Sequence, residues 1–264
     1  MLSSIRQWIR SDPSGNVIFR GSEVTVFQRN GYQGFVFRKS PNLIQGWQSL
    51  EDPLDFRAEF VEMQLAATMC VPRPRRVAVL GLGLGTTART LQRLYPPVEI
   101  HAVESNKEVI EMASRFFGLE LTDSFRVYFN DAFDWIRRAQ TDAYDAVYVD
   151  LYGTEGLVPF LEHPEFVQNL GRILRPKGLF SFNLIRNRKS NVQIGHSLSA
   201  LSRSVWKIDG VRKSNVALFG IQNSRVDPLL SLERAKRYDR LDVLPFRLNR
   251  HVRRMERLFP DSVF

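Results

Sequence analysis

From Val77 onward the chain repeats one pattern five times: a short apolar run of strand length, then a block with helical spacing. "VAVL" precedes "TTARTLQRLY", "VEIHAVE" precedes "NKEVIEMASRFF", "FRVYFND" precedes "AFDWIRRA", "YDAVYVD" precedes "HPEFVQNLGRIL", and "GLFSFNL" precedes "QIGHSLSALSRS". Strands each followed by a helix cannot be joined by hairpins. They lie parallel, with every helix crossing over to the next strand, so a Rossmann-like, doubly wound α/β sheet is the expected core. Two further strands, "VWKI" and "NVALFGIQ", have no helix between them and are expected to end the sheet as an antiparallel hairpin, giving a mostly parallel, seven-stranded sheet.

The flanks read differently. After a first helix near the start, "NVIFRGSEVTVFQRNGYQGFVFRK" alternates apolar and polar residues around "RNGY", a strong hairpin signal, so a small antiparallel β-domain is expected. "LDFRAEFVEMQLAATMCV" has helical spacing and ends at "PRPRR", whose prolines cannot continue a helix. The expected organisation is residues 1–72 as the N-terminal β-domain with a linking helix, 73–225 as the Rossmann-like domain, and 226–264 as a basic helical extension. In that extension "LLSLERAKRY" and "PFRLNRHVRRMERLF" read as helices.

Composition excludes several classes. No apolar run approaches the roughly 20 residues of a membrane span, and "MLSSIRQWIRSDPSG" lacks the apolar core of a secretory signal. A soluble cytoplasmic protein is expected. Cys70 stands alone and is read as a small buried hydrophobe; the four histidines, at 101, 163, 196 and 251, have no ligand spacing, so no metal is expected. The net charge of +9 is segregated: residues 1–76 carry +3, residues 77–183 carry −4, and residues 184–264 carry +10. An acidic middle tolerates a cationic ligand, while a basic tail attracts acidic surfaces.

Ligands of such sheets bind beyond the carboxyl ends of the strands, and there the residues form a series. The first strand ends in the glycine turn Gly81-Leu82-Gly83-Leu84-Gly85, the second at Glu104, the third at Asn130-Asp131-Ala132, and the fourth at Asp150. A glycine turn admits a ligand against backbone amides. Glu104 can accept from two ribose hydroxyls, Asp131 from an adenine amine while the Ala132 amide donates to the ring, and Asp150 can attract a cation or take a proton from an amine. Each has a structural alternative: a tight βα turn, an exposed strand-end carboxylate, a helix N-cap, a loop cap. A dinucleotide oxidoreductase would share the turn and Glu104, but its third glycine position is Thr86 here, and a sulfur-nucleoside cofactor accounts for more of the series.

These residues resemble the polyamine aminopropyltransferases, the spermidine-synthase-like family, a branch of the class I methyltransferase fold. The resemblance runs from about Ser22 to Asn183. "LGLGLGTT" stands where the family has Gly-Gly-Gly-Asp-Gly-Gly, "VES" where it has its ribose acid, "NDAFDWI" where it has Gly-Asp-Ala, and "VDLYGTEG" where it has Asp-Ser-x-Asp-Pro. It implies a cofactor, decarboxylated S-adenosylmethionine or S-adenosylmethionine, held by Gln45, Gly81, Gly83, Gly85, Glu104, Ser105, Asp131 and Ala132, with methylthioadenosine or S-adenosylhomocysteine as product. It implies Asp150 as the catalytic base, and Tyr152, Glu155 and Phe60 on the substrate side. It also implies a small-molecule acceptor of the polyamine kind and a homodimer.

The departures fall on the amine side. Leu84 replaces the Asp that would hold the aminopropyl amine, Phe60-Val61 replaces a Tyr-His or Tyr-Gln pair, and Gly153 replaces the second Asp of the catalytic loop; Glu155 partly substitutes for it or is a solvated loop acid. The expectation is therefore a transferase of aminopropyl or methyl groups that is not an efficient putrescine enzyme. A degenerate nucleoside-binding sensor or scaffold is the alternative. Nucleic-acid binding through Arg247, Arg250, Arg253, Arg254 and Arg257, placed along one side of a helix, is not favoured over packing or self-association.

Overall fold

The computed structural model describes residues 15–153, 156–158, 161, 163–186, 189–211 and 215–258. The expected first helix and Glu155 lie outside the described residues.

Four antiparallel strands form the N-terminal sheet in chain order: β1 (Asn16–Arg20), β2 (Val24–Arg29), β3 (Tyr32–Phe37) and β4 (Ile44–Ser49). The β2–β3 turn is Asn30-Gly31, with φ of 50° and 76°. Positive φ at both central residues matches the twist of the flanking strands, which is why Asn-Gly is placed there. Val24, Val26 and Phe35 face the main core, while Phe27, Val36 and Trp47 make a separate cluster on the other face. Helix α1 (Glu59–Ala67) links this sheet to the rest, and buried Gln64 on it donates to the carbonyls of Val149 and Ser181 at 3.2 and 3.3 Å.

The second sheet contains β5 (Arg76–Leu80), β6 (Glu99–Glu104), β7 (Phe125–Phe129), β8 (Tyr144–Val149), β11 (Leu174–Ile185), β12 (Ser202–Asp209), β13 (Asn215–Gln222) and β14 (Met255–Arg257). A two-residue ladder, β9 (Tyr152–Gly153) with β10 (Gly156–Leu157), follows β8. The crossovers are α2 (Thr86–Leu94), α3 (Lys107–Phe116), α4 (Ala132–Arg138), α5 (Pro164–Ile173) and α6 (Lys189–Ser199). Spatial order is β14-β12-β13-β11-β8-β5-β6-β7, with β11, β8, β5, β6 and β7 parallel. From β5 the chain first builds outward through β6 and β7, then returns to add β8 on the other side. The topological switch point, where such folds bind ligands, is thus between β5 and β8. The strands are buried on both faces: Val77 and Val79 belong to one core cluster, Ala78 and Leu80 to the other.

The hairpin β12–β13 forms as expected, but the sheet has eight strands because the tail adds β14 beside β12. "PFRLNRHVRRMERLF" is not one helix: α8 (Leu248–Val252) ends and Met255–Arg257 pairs with the strand, following α7 (Pro228–Asp239). The arginines accordingly do not share one helix side. Arg254 turns inward to the Asp209 carbonyl and to Glu59 at 3.3 Å, and Arg247 pairs with Asp242 at 2.9 Å. Leu244, Leu248 and Val252 enter the main core, and buried His251 lies 2.8 Å from Glu62 of α1.

A carboxylate on α3 gathers three amides of the N-terminal sheet. Glu108, in the first turn of α3, accepts from the amides of Ser22, Glu23 and Val24 at 2.7, 2.6 and 2.7 Å. A Cβ on Gly21 would lie 2.0 Å from its Oε1, so any side chain there would push the Glu108 carboxylate aside. Among the described residues no helix is long and apolar enough to cross a membrane.

Candidate active site

The end of β5 is shaped by three glycines with three different duties. Gly81 has φ 92°, and a Cβ there would lie 2.1 Å from the Asp150 carbonyl oxygen. Its lack of a side chain lets the end of β8 close against the end of β5, where the Asp150 amide donates to Leu80 O at 2.9 Å. Gly83 has φ 54° and meets nothing within 4 Å, so the turn is open beside it. Gly85, with φ 76°, is the N-cap of α2 and fits against Leu119, where a Cβ would approach to 2.5 Å. Gly81 and Gly83 line a cavity of about 380 Å³; Gly85 does not.

The strand ends bring Glu104, Ser105, Asp131, Ala132, Asp150 and Tyr152 to the same cavity, and Gln45 reaches it from β4. Glu104 Oε2 accepts from the Leu82 amide at 3.1 Å and Oε1 from the Asn106 amide at 2.9 Å, so it ties the glycine turn to the start of α3. Burial pushes its carboxyl above the usual range, opposed by the amides of Asn106, Leu82, Ser105 and Gly83. Asp131 Oδ1 caps α4, accepting from Phe133 and Asp134 amides at 2.8 and 3.1 Å. Capping and a place in the cavity therefore coexist.

Asp150 has the most elaborate support. Its Oδ1 accepts from Asn183 Nδ2 at 2.7 Å, Asn183 Oδ1 accepts from Asn215 Nδ2 at 3.0 Å, and the Tyr152 hydroxyl donates to the Asn183 carbonyl at 3.0 Å. Burial pushes its carboxyl up to about 6, against the pull of the Asn183 bond and with the nearby Glu104 charge adding to the rise. An acid poised there is protonated or ionised by small changes near neutrality, as a proton-transfer group must be.

The other wall is apolar: Phe35, Phe37, Leu43 and Ile44 from the N-terminal sheet, and Phe60 from α1. The cavity thus has three carboxylates at one wall, an aromatic and aliphatic wall opposite, and no Lys, Arg or His among its described lining residues. That environment favours a ligand with a positive centre and a substantial apolar or aromatic body.

The sequence reading is corrected at Leu84. It is 4% exposed, does not line the cavity, and packs on Gly46 of β4, where a Cβ would sit 2.6 Å from Leu84 Cδ1. Val61 likewise is core, leaving Phe60 and the β3–β4 residues to supply the apolar wall. Sequence reasoning missed Asn215, Ile185, Phe35, Phe37 and Ile44. The two phenylalanines carried a signal, since they alternate with Val36 on one strand and share a face. Asn215 carried none, because its place depends on β13 inserting beside β11.

With this geometry in view, the similarities to known proteins are informative. The spermine/spermidine synthase domain family matches residues 62–194, half of the chain. A polyamine aminopropyltransferase from Vibrio vulnificus is 29% identical over 189 residues, covering 70% of this chain and 62% of that relative, so the chain spans less than two thirds of its length. A spermidine synthase solved with the transition-state analogue AdoDATO superposes with a TM-score of 0.71 at 16% identity, covering 90% of this chain and 84% of that one. Human methyltransferase-like protein 13, solved with SAH, gives 0.63 at 22% identity, covering 72% of this chain and 94% of that one.

Proposed function

The chain belongs to the spermine/spermidine synthase family, and on that premise we propose that it is a transferase binding decarboxylated S-adenosylmethionine or S-adenosylmethionine in the carboxylate-lined cavity. The observation that carries the reading is the pairing of three carboxylates with no cationic side chain among the described lining residues, around a space open beside Gly83. A sulfonium nucleoside fits this donor set: it brings a positive charge, ribose hydroxyls for Glu104, and an adenine amine for Asp131.

When bound, the sulfonium supplies an electrophilic carbon and a thioether that leaves. Ionised Asp150, oriented by Asn183, takes the proton from the attacking amine as the new N–C bond forms and the C–S bond breaks. Most of the acceleration comes from holding nucleophile and carbon in line. Aminopropyl transfer is the family's reaction and the leading assignment; methyl transfer uses the same carboxylates. Phe35, Phe37, Ile44 and Phe60 make the acceptor side apolar, which disfavours a short diamine bearing two charges and favours a larger or less charged amine. A homodimer is part of the same proposal.

Release of methylthioadenosine from decarboxylated S-adenosylmethionine, measured across a panel of amines, tests this. We expect turnover with longer or partly apolar amines and little with putrescine. Putrescine turnover at about 1 s⁻¹ or faster, ordinary for an evolved enzyme, contradicts the reading of the acceptor wall.

A further inference from the structure

A second cavity, of about 630 Å³, lies at the far end of α2, where Leu94 and Tyr95 meet α7 and the segment around Arg73. It shares no lining residue with the carboxylate-lined cavity. Four arginines line it, Arg73, Arg93, Arg234 and Arg237, and no acid does so among the described residues. They come from three separated stretches of sequence. Arg73 sits between Pro72 and Pro74, whose rings fix the backbone; Arg93 is in the last turn of α2; Arg234 and Arg237 lie three residues apart on α7 and so share one side of it.

Among the described residues no acid pairs with these charges. Arg73, Arg93 and Arg237 are exposed and form no ion pair among the described residues, and Glu233, beside them on α7, is engaged by Lys236 at 2.7 Å. Arg234 is steadied by a bond to the Met69 carbonyl at 3.0 Å. Guanidinium groups stay charged at any working pH, so four around one cavity repel one another unless an anion joins them. Their planar forks match phosphate oxygens two at a time.

The floor is apolar. Val71, Leu94, Leu241 and Val243 line it, with Tyr95 and Tyr238 packed edge to face at 5.4 Å. Inorganic phosphate would leave that surface uncovered. The volume is within the range of about 300–1,000 Å³ typical of sites for small organic ligands. We propose that this cavity binds a small organic polyphosphate of nucleotide size, with its phosphates among the four guanidiniums and its apolar or aromatic part on the tyrosine floor.

The test is calorimetric titration of the full chain with ATP and with tripolyphosphate, at low and at physiological salt. The comparison proteins are the surface variant Arg93→Glu/Arg237→Glu and, should that double variant not fold, Arg73→Ala. The expected result is saturable ATP binding that weakens with salt and falls roughly tenfold or more in the variant, as loss of charge-assisted bonds implies. Tripolyphosphate binds more weakly than ATP. Absence of saturable binding, or ATP affinity unaffected by the arginine substitutions, overturns the proposal. So does tripolyphosphate binding as tightly as ATP, or a DNA duplex binding more tightly than ATP and losing affinity in the same variant, which makes the surface a nucleic-acid contact.

Discussion

Gly81 carries no side chain because the Asp150 carbonyl occupies the place where one would be, 2.1 Å from an ideal Cβ. The residue read as part of a nucleotide turn is thus also what lets β8 deliver its terminal acid. Asp150 in turn is held in an unfavourable setting: burial raises it to about 6. Between the ordinary carboxylate range near 4 and that value, the unfolded chain ionises first while the folded chain keeps its proton. Asp150 therefore costs stability progressively as pH rises through this window, and the full cost is present above about 6. Asp150→Asn removes it while retaining an oxygen for Asn183. We predict that the variant is more stable than the parent at pH 7.5, by something on the order of 1–3 kcal/mol, and that the gain fades toward pH 4. Any turnover falls roughly 10²–10⁴-fold, as for loss of a general base. A variant less stable at pH 7.5, measured by denaturant titration, contradicts this placement of the acid.

Among the elements, Glu108 has the role of a latch between the N-terminal sheet and α3. Burial works against its charge, but the amides of Glu23, Val24 and Ser22 outweigh this and hold its carboxyl below the ordinary range. Its contribution is present above the ordinary carboxylate pKa and is lost as pH falls through the lowered value. Glu108→Ala is expected to lower the thermal midpoint by several degrees, since about 1 kcal/mol shifts a chain of this size by roughly 2–4 °C. It should also weaken nucleoside binding, because Phe35, Phe37, Ile44 and Gln45 reach the cavity from the latched sheet. An unchanged midpoint contradicts the latch.

The elements also show what the sequence makes readable. β5 to β8 and β11 were legible because a strand buried on both faces between amphipathic helices leaves a double period, and Glu104, Asp131 and Asp150 were legible because parallel strands put their last residues at one edge. β14 was not. "NRHVRRMERLF" has helical spacing, yet Met255–Arg257 gains ladder bonds with β12, and Arg254 gains the Asp209 carbonyl and Glu59, contacts invisible to local periodicity. Leu84 misled for a related reason: its place in the motif suggested the ligand, but the turn directs its side chain under Gly46 of another sheet.

At the scale of the whole molecule, charge is sorted between two cavities. A chain of net charge +9 keeps three carboxylates and no basic side chain around the described lining of its first cavity, and sets four arginines and no acid around the described lining of the second. A cationic ligand is drawn toward the first and an anionic one toward the second. The central claim, that the first cavity is a nucleoside site with Glu104 as its ribose acceptor, is tested most directly by titrating methylthioadenosine into the parent chain and into Glu104→Ala, with folding checked by thermal midpoint. Loss of a charged hydrogen-bond acceptor is expected to cost roughly 1.5–3 kcal/mol, about 10- to 150-fold in affinity. Saturable binding in the parent, weakened to that extent in the variant, is the predicted result. Equal affinity in the two proteins, or none in the parent, would contradict it.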